Sequence, residues 1–241
     1  MDFRKKSNIS VNCVVLGFDM TNINILLSKR TLCMYDDKYP VIDDWILTGN
    51  HVYKSERLDK AASRIFKGFT GIEATYMEQF RTFGNPDRIK NDKDLLWVKS
   101  RDTDPGTTSV AYYFLLNSSQ ITLKEKDTQW FSIKDLPVLG FDHKEIITQA
   151  YQNLRQKVMS EPIIFEFLDD KFTLNDLQLV YESILDTNID NRNFRKKVLK
   201  KKYIIPLDEK QVGVSKKPSQ LYMFSRDVYK KMSEERYVIN I

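Results

Sequence analysis

Two carboxylates, Glu56 and Asp59, are the acids between residues 56 and 72. Set three apart, they share one helix face, as an ordinary surface pair does. Assisted hydrolysis of a phosphoanhydride asks for more. Mg²⁺ takes hard oxygen ligands in near-octahedral geometry, and several carboxylates must converge from one face. Here Ile65 and Phe69, spaced i, i+4, turn that face apolar. Metal-dependent hydrolysis is therefore not expected, and no catalytic residue, metal or cofactor is assigned. The two histidines and two cysteines, Cys13 and Cys33, show no paired spacing, so neither a zinc site nor a disulfide framework is expected.

A second group of residues suits a different chemistry. Arg192, Asn193 and Arg195 lead a run that continues through Lys196, Lys197 and Lys200, and Lys216 and Lys217 follow in a later loop. Arginine and asparagine can make bidentate contacts to guanine and adenine edges, whereas lysine mostly meets phosphate. Charge is segregated to match. From 161 to 190 there are eight acids against Lys171 alone, and from 192 to 217 ten bases against Asp208 and Glu209. A lysine-rich face by itself is commonly just solvated. The Arg-Asn pair in the first turn and the basic hairpin loop make double-stranded DNA the better reading.

Elements must hold these groups. The β-prone runs 11–18, 23–27, 76–83, 109–116 and 128–137 alternate with a helix carrying Leu58, Ala61, Ala62, Ile65 and Phe66 on one stripe. Tyr112, Tyr113 and Phe114 read as core. Asp142 is placed to cap a helix from about 143 to 158, which Ser160-Glu161-Pro162 breaks. The chain is therefore divided into domains 1–159 and 160–241. In the second, Thr173 caps a helix over 174–185, a short polar turn follows, and Asp190 caps a basic helix over 191–201. The runs 203–205 and 220–224 then form a hairpin around Gly213, Lys216, Lys217 and Pro218. Helix, turn, basic helix and hairpin is the order of a winged helix-turn-helix.

The segment from Gly49-Asn50-His51-Val52 to Thr70-Gly71-Ile72 resembles a Nudix box without its chemistry. Glu56, Arg64, Gly71 and Ile72 stay in register, but the three metal-binding glutamates are Ile65, Gly68 and Phe69, and the second glycine is Asn50. Farther along, Phe172-Thr173-Leu174, Leu177-Gln178, Asp190-Asn191-Arg192-Asn193-Phe194-Arg195 and Leu221-Tyr222-Met223-Phe224 resemble the DNA-binding part of Nudix-related transcriptional regulators. So do Trp45–Gly49, Phe83–Arg88, Ser109–Tyr113 and Phe141-Asp142-His143 upstream. The resemblance implies an α+β chain, a Nudix-like α/β/α sandwich followed by a winged helix-turn-helix. It also implies a bacterial homodimer on a pseudo-palindromic operator, with a small-molecule effector in the old substrate cleft. Arg30, His51, Glu56 and Arg64 match positions near that cleft. Structural roles are open for His51 and for Arg64, whose salt bridge would hold the loop to the helix, and His143 reads as part of a helix start.

Two branches of the resemblance differ in effector. Met77-Glu78-Gln79 before Phe83-Gly84, and 161–165 before Phe172, look closer to a Bacteroides-type arabinose-responsive regulator, so a sugar such as a pentose is the expected ligand. An ADP-ribose-type ligand, sensed in control of NAD metabolism and held by Arg30, Arg64 or backbone amides, is the alternative. A divergent hydrolase and a DNA-free interaction module are further competitors. The chain departs from the family at 89–104 and 34–40. Leu95, Leu96, Trp97 and Val98 are too apolar for a solvated loop, and an extra helix or enlarged dimer contact is favoured over a pocket lid.

At 241 residues, with 41% hydrophobic, 29% charged and a net charge of +5, the composition suits a soluble one- or two-domain protein. No run reaches membrane-span length, and the start lacks a signal-like apolar stretch. A cytoplasmic location is expected. Arg4, Lys5 and Lys6 could serve as a basic arm or be an ordinary tail.

Overall fold

Alternation along two central strands sets the layers. In β1 (Lys6–Phe18) the residues Val11, Cys13 and Val15 point to one side, and Val14, Leu16 and Phe18 to the other. In β5 (Thr108–Asn117) Val110, Tyr112, Phe114 and Leu116 join the first set, and Ala111, Tyr113 and Leu115 the second. Strands apolar on both faces must be covered on both. These two run parallel and in register from Ile9–Thr108 to Phe18–Asn117. Antiparallel partners complete the sheet: β2 (Ile23–Leu32), β3 (Ile42–Tyr53), β4 (Met77–Phe83) and β6 (Thr128–Ser132). The order is β4-β5-β1-β3-β2-β6.

This computed structural model describes residues 6–33, 39–89, 91–101, 103–121, 123, 127–213 and 218–237. The possible basic arm at Arg4 and Lys5, most of the excess at 34–40, and Lys216 and Lys217 lie outside them. Among the described residues, no helix is long and apolar enough to cross a membrane.

Helix α1 (Leu58–Thr70) covers the first face through Ala61, Ala62, Ile65 and Phe66, and Phe66 stacks on Phe114 at 4.5 Å. Burying such a ring is worth roughly 1.5–3 kcal/mol. The helix ends where Gly71 takes φ 79°, a left-handed conformation that lets its N–H reach the Lys67 carbonyl at 2.8 Å. Insertion helix α2 (Asp92–Ser100) is capped by the Asn91 side chain, which accepts from the Asp94 N–H at 2.8 Å. Helix α3 (His143–Lys157) covers the second face with Ile146, Ile147, Ala150 and Leu154.

One expectation changes in part. Asp142 holds the N-cap position of α3, but its side chain does not cap the helix, because its carboxylate is taken by Arg88 through contacts of 2.8 and 3.0 Å. Strand β3 continues through Gly49 to Tyr53. A side chain at Gly49 would collide with the Val11 carbonyl and the Asn12 side chain, so the glycine serves strand packing.

After α3 a 3-10 segment, Pro162–Phe167, leads into α4 (Leu174–Leu185) and α5 (Asn191–Val198). Strands β7 (Ile204–Lys210) and β8 (Gln220–Phe224) form the hairpin, and α6 (Arg226–Tyr237), absent from the sequence reading, follows. Strand β6 ends at Ser132 and leads into a turn, as the strand-then-loop reading of 128–137 expected, whereas α5 ends at Val198, short of 201. Thr173 and Asp176 form a full capping box at the start of α4. Phe165 stacks on Phe224 at 4.2 Å. One apolar cluster runs from Leu16 and Tyr113 through Ile146 and Leu154 to Phe167, Leu177, Ile184 and Val198, so the C-terminal unit shares its core with the sheet.

Candidate effector cleft and nucleic-acid interface

A cleft of about 870 Å³ opens between β3, α1 and α2. Strand β3 contributes Gly49, Asn50 and His51, and α1 contributes Arg64, Ile65, Gly68 and Phe69. The opposite wall is Trp97 and Val98 of α2, with Arg101 just beyond it, and Arg88, Phe141 and His143 lie along the same cleft. The insertion is thus an extra helix, as favoured, and it also walls the pocket. Its apolar Leu95–Val98 run was the visible signal. Arg88 and Phe141 were quoted only within motifs, and Trp97 only within the insertion, so spacing gave them no role in a site.

Of the four expected effector residues, His51 and Arg64 line this cleft. Arg64 donates to Glu56 Oε1 and Oε2 at 2.7 Å each and to the His51 carbonyl at 3.1 Å, while its guanidinium lies 4.3 Å from the Tyr53 ring. It fastens β3 to the start of α1. Glu56 is consumed in that clamp, also accepts from the Tyr53 N–H at 3.2 Å, and borders a separate open depression with Asp59 and Tyr112.

Arg30 does not line the cleft but packs behind Phe141 and Trp97 of its wall. Only 1% exposed, it pairs with Asp44 on the neighbouring strand and with Asp94 of α2, 4.6 Å from the Phe141 ring. Burial of a guanidinium demands such partners. A side chain at Gly140 would strike it, which explains the glycine.

His143 is a satisfied core histidine. Its Nδ1 accepts from the Leu47 N–H at 2.9 Å, and Nε2 lies 3.4 Å from the Asn12 amide nitrogen. Burial, with Arg88 and Arg30 nearby, pushes its pKa down to about 3, so it is neutral. Cys13 is buried beneath α1 and its thiol is pushed up by burial, so it is unreactive.

The metal positions of a Nudix box do not fit a divalent ion here. Ile65 is 3% exposed in the α1 core, and Gly68 and Phe69 offer no oxygen. Among the described residues, no group of three or more His, Cys, Asp or Glu converges.

The basic helix presents a different surface. Phe194 and Val198 face inward at 8% exposure each, leaving Arg192, Asn193, Arg195, Lys196 and Lys197 exposed. Asp190 accepts from the Asn193 N–H at 2.8 Å and caps the helix. The turn before it is fixed by Glu182, which accepts from the Ile189 N–H at 2.8 Å, and by Gln178, which donates to the Ile189 carbonyl at 2.9 Å. Phe172 exchanges both backbone hydrogen bonds with Tyr222, at 3.0 and 2.8 Å, and ties the wing to the start of α4.

A mixed sheet between helices, joined through α3 to helix, turn, basic helix and hairpin, is a Nudix-like α/β domain followed by a winged helix domain. Residues 164–224 match the family described as the NrtR DNA-binding winged helix domain. Over 229 residues the chain is 27% identical to the ADPR responsive transcriptional repressor NtrR of Acinetobacter baylyi, covering 92% of this chain and 83% of that protein. In fold it resembles Shewanella oneidensis NrtR solved with a 27mer DNA, with a TM-score of 0.72, 24% identity, and 93% and 96% of the two chains covered. A MutT/nudix family protein from Enterococcus faecalis aligns with a TM-score of 0.65 and 22% identity, over 93% and 88%.

Proposed function

We propose that this chain is a DNA-binding transcriptional regulator in which a Nudix-like cleft senses an ADP-ribose-type metabolite and controls operator binding by the winged helix. The observation that carries the reading is the capped, exposed face of α5 within a segment matching the NrtR winged helix. The Acinetobacter relative, whose name makes it responsive to ADPR, supports the effector class. The sugar reading has no support among these relatives, and the arabinose-type likeness gives way to the ADP-ribose alternative. The protein acts as a cytoplasmic homodimer on a pseudo-palindromic operator, with Arg192, Asn193 and Arg195 at base edges and Lys196, Lys197, Lys216 and Lys217 on phosphate. It is not a hydrolase, because apolar Ile65 and Phe69 and glycine at 68 stand in place of metal ligands.

The test is a gel shift of the chain on its own upstream region, titrated with ADP-ribose and with arabinose. A sequence-specific complex whose affinity changes with ADP-ribose alone is expected. A response to the pentose alone would restore the sugar reading. No salt-dependent affinity for any duplex would remove the DNA-binding function.

A further inference from the structure

We propose that Arg101 is the residue that reads the ligand's anionic phosphates in the cleft, and that Trp97 is the positioning residue holding it there. The helical insertion thereby gives the site its preference for a diphosphate-bearing ligand over a neutral sugar. The ligand's full identity rests on the ADP-ribose reading above, whereas the role of Arg101 rests on the geometry of α2.

Other cations of the cleft are engaged. Lys29 pairs with Asp43 at 2.9 Å, Arg64 with Glu56 at 2.7 Å and Arg88 with Asp142 at 2.8 Å. Arg101 is exposed to the cleft and has no carboxylate partner among the described residues. Its guanidinium lies 4.5 Å from the Trp97 ring centroid. A guanidinium held on an aromatic face keeps its in-plane N–H edges available for two parallel bonds to phosphate oxygens. Two acids, Asp104 and Asp127, also line the cleft, and neither pairs with Arg101. Asp104 accepts from the Gly106 N–H at 2.7 Å and from Asn8 at 3.2 Å.

The wall that carries the pair is fixed. Asp94 and Val98, one turn apart, are 1% and 7% exposed, and Asp94 is held by Arg30 and by the Phe141 N–H at 3.1 Å. Arg101 sits at the carboxyl end of α2, where the helix dipole repels an anion. Attraction at this wall must therefore come from the side chain.

Titration calorimetry of the full chain with ADP-ribose, with inorganic pyrophosphate and with arabinose tests the assignment. Arg101→Ala should weaken ADP-ribose and pyrophosphate by about tenfold or more and flatten the salt dependence, with Arg101→Lys intermediate because lysine lacks the fork. Trp97→Phe should stay near wild type and Trp97→Ala should follow Arg101→Ala. If Trp97→Ala fails to fold, the phenylalanine and lysine variants still decide. ADP-ribose affinity of Arg101→Ala within about twofold of wild type overturns the proposal. Arg101-dependent binding of pyrophosphate without any binding of ADP-ribose would keep this assignment and sink the sensing reading. Binding of arabinose alone, or of none of the three, overturns both.

Discussion

Removing the Asp94 carboxylate should cost far more than its place on an inserted, solvent-facing helix suggests. Asp94 is 1% exposed and accepts from the Arg30 guanidinium, from Asn91 Nδ2 at 2.6 Å and from the Phe141 N–H at 3.1 Å. Asp94→Ala leaves those donors unmet. Breaking a buried ion pair by deleting one partner costs about 3–5 kcal/mol, and an orphaned buried N–H about 1–3 kcal/mol. Arg30 keeps Asp44, so the first figure is reduced, and we expect about 3–4 kcal/mol in all. Asp94→Asn keeps one acceptor and loses the charge, which should cost roughly half as much. Urea denaturation read by far-UV circular dichroism measures both, with exposed Asp92→Ala in the same helix turn as control at under about 0.5 kcal/mol. Asp94→Ala no worse than Asp92→Ala would refute the view that this pair anchors α2 to the sheet.

Three further outcomes are expected. Thr173→Ala, which removes the capping box of α4, should lower stability by about 1 kcal/mol in the same denaturation assay, whereas Thr173→Ser should not. His143 has a folded pKa of about 3 against an ordinary 6.5, so the unfolded chain takes up a proton that the folded chain refuses. Its stabilising contribution is complete above pH 6.5 and falls by at most about 1.4 kcal/mol per pH unit as pH drops toward 3, a slope that His143→Gln should flatten in urea titrations at stepped pH. On DNA, Arg192→Ala and Asn193→Ala should each cost about 1–3 kcal/mol on the specific site and little on random duplex, measured by competition gel shift. Lys197→Ala should instead weaken both duplexes alike. Equal losses on both duplexes from all three would remove α5 as the reading helix.

Much of the fold was legible because its signals are local. The apolar β-prone runs at 11–18 and 109–116, the 3.6-residue stripe of α1, and the caps at Thr173 and Asp190 depend only on near neighbours, and each appears in the structure. The failures are long-range. Asp142 has the chemistry of a cap, but Arg88, 54 positions away in sequence, outbids the helix N–H groups for its carboxylate. The resemblance put Arg30 near the cleft, but its partners Asp44 and Asp94, 14 and 64 positions away in sequence, hold it in a buried pairing that near neighbours do not reveal. The cleft wall was hidden in the same way. Trp97 reads as an apolar residue in an insertion, and only the docking of Asp94 turns that helix toward β3 and α1.

Helix α3 is the element that both sites touch. Its first turn holds Asp142 and His143 against Arg88 and the Leu47 N–H at the cleft. Its last turns hold the winged helix: the Tyr151 hydroxyl donates to the Ser183 and Ile184 carbonyls at 3.2 and 3.0 Å, and Arg155 donates to the Leu185 carbonyl at 2.9 Å. Those carbonyls belong to the C-terminus of α4, the helix immediately before the turn that aims α5. Because one apolar cluster spans both regions, a shift of α3 would press directly on α4. A ligand moves that equilibrium only by the difference in its contacts with the two arrangements. On the proposed reading, cleft residues that touch α3, Arg88 foremost, are where binding energy would become a change at the DNA surface. On the same reading, residues that only enclose the ligand would set its affinity and leave the switch unmoved.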